Sequence, residues 1–311
     1  MDVIFLIEIL AEKTKSARCK MKITFLGTSA ATSCPLPFCQ CDVCVWARKH
    51  GGKDFRKRSS ILINEDLLVD FGPDVMASSF MHGVSIDKVR YWLQTHSHSD
   101  HFDASHLITR IPEYGVTNIP PLNLYASRAC IENMTTMLKR EWSSSDLFDV
   151  RERERLNLDI HIVDNLQTFY AGPYCITAFS SDHDKSDNSL IYAIQEDGFT
   201  ILYGTDTTTI PQDTWSEFRN KGLKFNIVIL DHTYGANTGG FDHLNANQFI
   251  EHVNKFKDGN LLANDARIFA THISHEGNPV HSDLVEYGRK FGYEIAYDGL
   301  VIYCAVNSER V

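Results

Sequence analysis

The sequence predicts a mixed α/β fold. Three observations support this: short apolar runs of strand length recur along the chain, amphipathic helical stretches lie between them, and no low-complexity linker or short repeat interrupts the pattern. At 311 residues this reads as one extended domain rather than two, because layered α/β domains commonly reach that size as one unit.

Residues 1–10 are apolar but contain Asp2 and Glu8 and no basic leader, so they fit neither a signal peptide nor a membrane span. Residues 1–20 are expected to be an extension, with the regular pattern starting after Met21 in a strand at 22–26. Strands at 60–63 and 67–70 are joined by Asn64-Glu65-Asp66 as a hairpin turn, and Phe71-Gly72-Pro73-Asp74 ends the second. Further strands are predicted at 89–94, 191–194, 200–203, 227–230, 268–270, 295–297 and 301–305. Helical periodicity predicts helices at 127–140, 246–255 and 281–291. The stretches 111–121 and 143–155 are less regular and are expected to be surface excursions.

A composition of 43% hydrophobic and 23% charged residues supplies a sizeable core and excludes disordered and fibrous classes. The net charge of -10 gives no general attraction for a polyanion, so extended nucleic acid is not an expected partner. Arg56-Lys57-Arg58 is a local basic run; the alternating charges of 151–155 read as a solvated helix face or loop. Eight cysteines without an export signal point to a reducing, cytoplasmic setting in which clustered thiols bind metal. Cys19, Cys130, Cys175 and Cys304 are scattered and read as small apolar residues.

The most informative segment is Thr95-His96-Ser97-His98-Ser99-Asp100-His101. Residues two apart on an extended segment point the same way, so His96 and His98 can serve one ion, while Asp100 and His101 diverge in the following turn toward a second. Two ions with open positions need more donors. His183 in a polar loop, Asp206 after one strand and His272 after another are placed to supply them. Cys39, Cys41 and Cys44 form a CxCxxC group one ligand short of a closed tetrahedral zinc site, and His275, three residues beyond His272, is the expected fourth. Cys34, separated by Pro35 and Pro37, is the weaker alternative in this cysteine loop at 34–44.

These motifs resemble the metallo-β-lactamase superfamily. The resemblance implies a four-layer αββα sandwich, His96, His98 and His183 on one ion, Asp100, His101 and His272 on the other, and Asp206 bridging them. It also implies that Asp70 orients a ligand histidine from behind. Phe102 to His106 depart from the glycine-containing stretch usual in the family, and His106 reads as a solvated helix-start histidine, with approach to the substrate as the alternative. With Gly27-Thr28-Ser29-Ala30, the cysteine group and the His272/His275 pair, the chain is similar to the PhnP-like cyclic phosphodiesterases that accompany carbon–phosphorus lyase. Relatives in pyrroloquinoline quinone biosynthesis share the cysteine portion without the full ligand set. The tRNA 3′-end endonucleases carry a basic, glycine-rich arm that this sequence lacks.

The expected activity is metal-dependent hydrolysis of small, including cyclic, phosphodiesters by water activated between two ions. Two active-site cations, zinc or manganese, and one structural zinc are the expected cofactors. His243, in Gly240-Phe241-Asp242-His243-Leu244, reads on its own as a helix-start histidine and by resemblance as the proton donor, with Asp100 the other catalytic residue. Asp231 and His232 read as pocket-lining or strand-end residues. The expected partner is a small phosphodiester substrate; a homodimer is compatible with the sequence, and a membrane is not. The alternatives are a glyoxalase II-type thioester hydrolase, an RNA-processing nuclease and a non-catalytic metal-binding regulator.

Overall fold

The computed structural model describes residues 19–305, so the expected extension at 1–20 lies outside them apart from its last two residues, which open the first strand. In chain order the strands are β1 (Cys19–Gly27), β2 (Ser60–Ile63), β3 (Leu67–Val69), β4 (Tyr91–Leu93), β5 (Leu122–Ala126), β6 (Leu158–Ile162), β7 (Thr168–Ala171), β8 (Tyr174–Ser180), β9 (Leu190–Glu196), β10 (Phe199–Gly204), β11 (Phe225–Asp231), β12 (Leu262–Thr271), β13 (Glu294–Ile295) and β14 (Val301–Ala305). The helices among the described residues are α1 (Asp42–His50), α2 (Val75–Met81), α3 (Ala104–Ile108), α4 (Arg128–Glu141), α5 (Val150–Leu156), α6 (Gln212–Asn220), α7 (Ala246–Asp258) and α8 (His281–Phe291).

Two seven-stranded sheets result, in the orders β14-β1-β2-β3-β4-β5-β6 and β13-β12-β11-β10-β9-β8-β7. Alternation along the strands builds three apolar layers. Ile61 and Ile63 of β2, Leu67 and Val69 of β3, Ile201 and Tyr203 of β10, and Ile227 and Ile229 of β11 all enter the core between the sheets. The intervening Leu62 and Leu68 face α3 and α4 on one outer side, and Leu202, Val228 and Leu230 face α6, α7 and α8 on the other. Because both faces of each sheet are covered, the central strands read as continuous apolar runs. This is the expected four-layer αββα sandwich.

Local chemistry sets the boundaries. The Ser127 hydroxyl accepts from Cys130 N at 3.0 Å to start α4, and Asn245 with Gln248 forms a reciprocal capping box on α7. The 64–66 turn joins antiparallel β2 and β3 as predicted. The expected strand at 295–297 shortens to β13, because the chain turns there to place the Asp298 carboxylate under Lys57 N at 2.7 Å and the Thr28 hydroxyl at 2.8 Å. The excursion at 143–155 ends in α5, where Glu152 is buried against Ser145 Oγ at 2.6 Å and Arg155 at 2.7 Å. Among the described residues no helix is long and apolar enough to cross a membrane.

Candidate metal centre

β3, β4 and β5 run parallel in one sheet, and β10, β11 and β12 run parallel in the other. Their carboxyl ends deliver Asp70 after β3, the His96–His101 loop after β4, Asp206 after β10, Asp231 at the end of β11 and His272 after β12. β8, two antiparallel pairings from β10, delivers His183 to the same edge. Asp70, Asp206 and His272 have φ of 62°, 56° and 57°. Left-handed backbone is costly for such residues, and here it turns each side chain sharply out of its strand into the cleft.

Two donor groups meet at Asp206. His96, His98 and His183 form one, and Asp100, His101, Asp206 and His272 form the other. Asp206 Oδ1 lies 3.8 Å from His96 Nε2 and 3.6 Å from His183 Nε2, and Asp206 Oδ2 lies 3.1 Å from His101 Nε2, so one carboxylate faces both groups. The other imidazole nitrogens are tied from behind. Asp70 sits 2.7 Å from His101 Nδ1 and accepts from Thr95 N at 2.8 Å. Thr95 Oγ1 is 2.9 Å from His96 Nδ1, and Thr233 Oγ1 is 2.8 Å from His272 Nδ1. These contacts fix which nitrogen faces the centre. The buried His96 Nε2 has no hydrogen-bond partner among the described residues, as expected of a ligand atom, and an imidazole–carboxylate set of this kind suits divalent ions.

The field at this centre is strong. Burial alone pulls the His101 imidazole down, but Asp206, Asp100 and Asp70 outweigh it and hold it well above the ordinary histidine range. Burial likewise pushes Asp206 up, and the surrounding His101, His272 and His96 reverse this, holding the carboxyl well below its usual value. A buried, proton-sharing carboxylate–imidazole cluster is one that cations can enter by displacing protons.

The family model described as "Beta-lactamase superfamily domain" matches residues 65–273, well over half of the chain. The chain belongs to the metallo-β-lactamase superfamily. Solved structures similar to it include a new diphosphatase from the PhnP family, at 21% identity over 91% of this chain and 96% of that one with a TM-score of 0.66. Zn(2+)-bound PqqB from Methylobacterium extorquens is similar at 19% identity over 90% and 99% of the two chains, with a TM-score of 0.65. The short form of human tRNase Z is similar at 17% identity over 90% and 98%, with a TM-score of 0.58. At these identities the likeness concerns the metallo-β-lactamase fold alone. No curated protein matches the chain by sequence.

Beside the metallo-β-lactamase cleft, the cysteine loop gathers Cys39, Cys41 and Cys44 with His275, whose Nδ1 is 3.8 Å from Cys39 Sγ and 3.4 Å from Cys41 Sγ. Cys41 is the N-cap residue of α1 and Cys44 lies in its first turn, where burial pushes the Cys44 thiol up to about 12. Cys34 stays outside the group; its backbone pairs with Arg56. The segment between His272 and His275 is pinned, with Ile273 N bonded to Thr28 O at 2.9 Å and Ser274 Oγ to Thr233 O at 2.8 Å.

His243 joins the centre, stacked on His272 at 5.0 Å and tilted against His183 at 4.7 Å. Its Nδ1 is 2.8 Å from Asp231 Oδ2. Burial lowers the ring's affinity for a proton, but Asp231 and Asp206 overcome this and bring it to about 9. His106 points elsewhere: it stacks on Phe71 at 5.1 Å and meets Pro73 O at 3.3 Å, so it is a packed rather than a solvated helix-start histidine.

Sequence reasoning left Asp231 undecided. Its placement at the end of an apolar strand is the same signal that marks Asp206 and His272. It missed Asp184, 3.2 Å from His98 Nε2, and the buried Asp187, which accepts from Ser97 N, from Ser97 Oγ at 3.0 Å and from Asn133 at 2.8 Å. Asp187 thereby clamps the residue between His96 and His98 to the loop that carries His183. No pattern in the chain announces a contact between residues that far apart in sequence.

Proposed function

We propose that the chain is a metal-dependent phosphodiesterase that hydrolyses small phosphodiesters, cyclic ones included. The observation that supports this best is the complete donor set in two groups sharing Asp206, with His243 held over it by Asp231. In this reading His96, His98 and His183 would hold one divalent ion and Asp100, His101 and His272 the other, with the Asp206 carboxylate available to both groups. Bound there, such ions supply Lewis acidity toward phosphoryl oxygens and lower the pKa of water. Cys39, Cys41, Cys44 and His275 would hold a structural zinc, a full protein set that would leave no position for substrate.

The remaining work falls to the chain's own residues. Asp70, Thr95 and Thr233 hold the imidazoles in orientation. His243 donates its Nδ1 proton in a hydrogen bond to Asp231, which leaves the Nε2 proton to pass to the departing oxygen. That step distinguishes the candidate substrates. A thiolate, with a parent thiol pKa of ~8.5, leaves without help, whereas an alkoxide is far more basic and needs a proton as the bond breaks. A dedicated donor therefore favours phosphodiesters over thioesters. The cysteine usage supports a reducing, cytoplasmic setting, and we read residues 21–311 as one hydrolase domain.

The test is metal analysis of protein purified without chelators, followed by assays on a bis-aryl phosphate, a 2′,3′-cyclic nucleotide, a ribose cyclic phosphate, a short RNA and a thioester. Turnover of the thioester alone, or of none of them by fully metallated protein, overturns the reading. His243→Ala should slow esters with poor leaving groups roughly 10²-fold or more while sparing activated aryl esters and metal content. Equal losses on both substrate types reject the donor role.

A further inference from the structure

A cavity of about 880 Å³ opens on the outer side of the first sheet, where Leu68 and Trp92 turn away from the inter-sheet core. None of the seven metal-centre donors lines it. Its size lies in the range of roughly 300–1,000 Å³ typical of small-molecule sites. Phe71, Met76, Phe80, Ile86, Trp92 and Ile119 make its walls mainly apolar, and Phe80 is 77% exposed there. An apolar cavity beside so exposed a ring is a feature that marks ligand or partner sites.

Three cations share the lining, Lys88, Arg90 and Arg110, against the one carboxylate of Asp87. Lys88 is already paired with Glu65 at 2.6 Å. Arg90 and Arg110 have no carboxylate partner among the described residues. Arg90 Nη1 reaches only the carbonyls of Asp87 and Val89 at 3.3 Å, and Arg110 bonds those of Leu156 at 2.9 Å, Pro120 at 2.7 Å and Asn157 at 3.2 Å. Burial brings the Arg110 guanidinium down to about 10, and the nearby charge of Arg90 acts in the same direction. Two uncompensated like charges at the edge of an apolar cavity favour an anion there, and a guanidinium matches a carboxylate best.

We propose that this cavity is a binding site for an amphiphilic carboxylate, its apolar body against Phe71, Ile86 and Trp92 and its carboxylate on Arg90 and Arg110. The site is separate from the hydrolytic reading and does not depend on it. Isothermal titration of the full-length, metal-loaded protein with decanoate tests it, with decanol as the uncharged counterpart. The expected result is one decanoate per chain, decanol binding at least tenfold weaker, and Arg90→Gln weakening decanoate at least tenfold. Thr109→Trp, which places a bulky ring on the lining from an exposed position, should abolish binding of both. Both variants should keep the wild-type metal content and melting temperature. The proposal is overturned if decanoate shows no saturable binding, if decanol binds as tightly, or if both variants bind decanoate like the wild type.

Discussion

Replacing Asp231 by Asn tests how the proposed proton donor is set. Asp231 is fully buried, and its two oxygens are assigned separately. Oδ1 accepts from Thr233 N and Oγ1, both at 2.9 Å, while Oδ2 accepts from His243 Nδ1 at 2.8 Å and Asp206 N at 3.1 Å. An amide has one acceptor oxygen, so whichever way it is turned, its NH2 faces two donors. If the oxygen stays with Thr233, His243 loses a hydrogen bond to a charged group, worth about 1.5–3 kcal/mol. At about 1.4 kcal/mol per pKa unit, that lowers the His243 pKa by about one to two units from its raised value of about 9. The sign follows from the role. A raised pKa keeps the donor protonated up to that pH, so in Asp231→Asn the basic limb of kcat/KM should move down toward neutrality. The assay is a pair of pH profiles, one on an alkyl phosphodiester and one on a bis-aryl phosphate, with metal content measured in parallel because Asp231 also lies 3.5 Å from His272 Nδ1. The shift should appear on the alkyl ester and be weak on the aryl ester. A basic limb that stays in place, or moves equally on both, refutes the assignment of His243 and Asp231 as donor and orienting group.

Three further outcomes are expected. Asp206→Ala, which removes the carboxylate shared by both donor groups, should leave at most one of the two active-site ions by metal analysis and abolish hydrolysis; retention of both ions would remove Asp206 from the bridging role. A Cβ on Gly72 would lie 2.2 Å from Asp100 O, so Gly72→Ala should displace the His96–His101 loop, costing ~1–3 kcal/mol in urea unfolding and lowering metal occupancy; wild-type values of both would contradict the packing described. His232 and His252, buried and brought to about 4, and His281, brought to about 3 by burial and by Arg56 and Lys53, bind fewer protons folded than unfolded between those values and ~6.5. Stability should therefore be intact above about pH 6.5 and fall as pH drops below it, by up to ~1.4 kcal/mol per pH unit per group, and urea midpoints unchanged between pH 7.5 and 5.5 would contradict three neutral histidines.

The legible elements were those whose local pattern matches their tertiary role. β2, β3, β10 and β11 are apolar throughout because both sheet faces are covered, and α7 and α8 each bury one stripe. β5, β6, β7 and β8 were not predicted: burial in β6 and β7 alternates with polar, exposed positions such as Asp159 and His161, while β5 and β8 are buried almost throughout but have their apolar runs interrupted by Asn123 and Thr177. α5 carries charge on nearly every position, so its helical state depends on the Asp149 cap and on Glu152 being satisfied inside the fold.

The sequence by itself determined the donor inventory: the ligand spacing of His96 to His101, the polar-loop position of His183, the strand-end positions of Asp206 and His272, and the cysteine group with His275. Spacing along one segment is fixed by the covalent chain, so such motifs can be read without a structure. Only the tertiary structure decided how donors up to 176 residues apart (His96 to His272) share one centre, because that depends on which strands lie side by side. It also decided what stands behind them. Asp231 on His243, Asp187 on Ser97 and the left-handed turns at Asp70, Asp206 and His272 exist only where the packed sheets force polar strand ends into one cleft with little water to satisfy them.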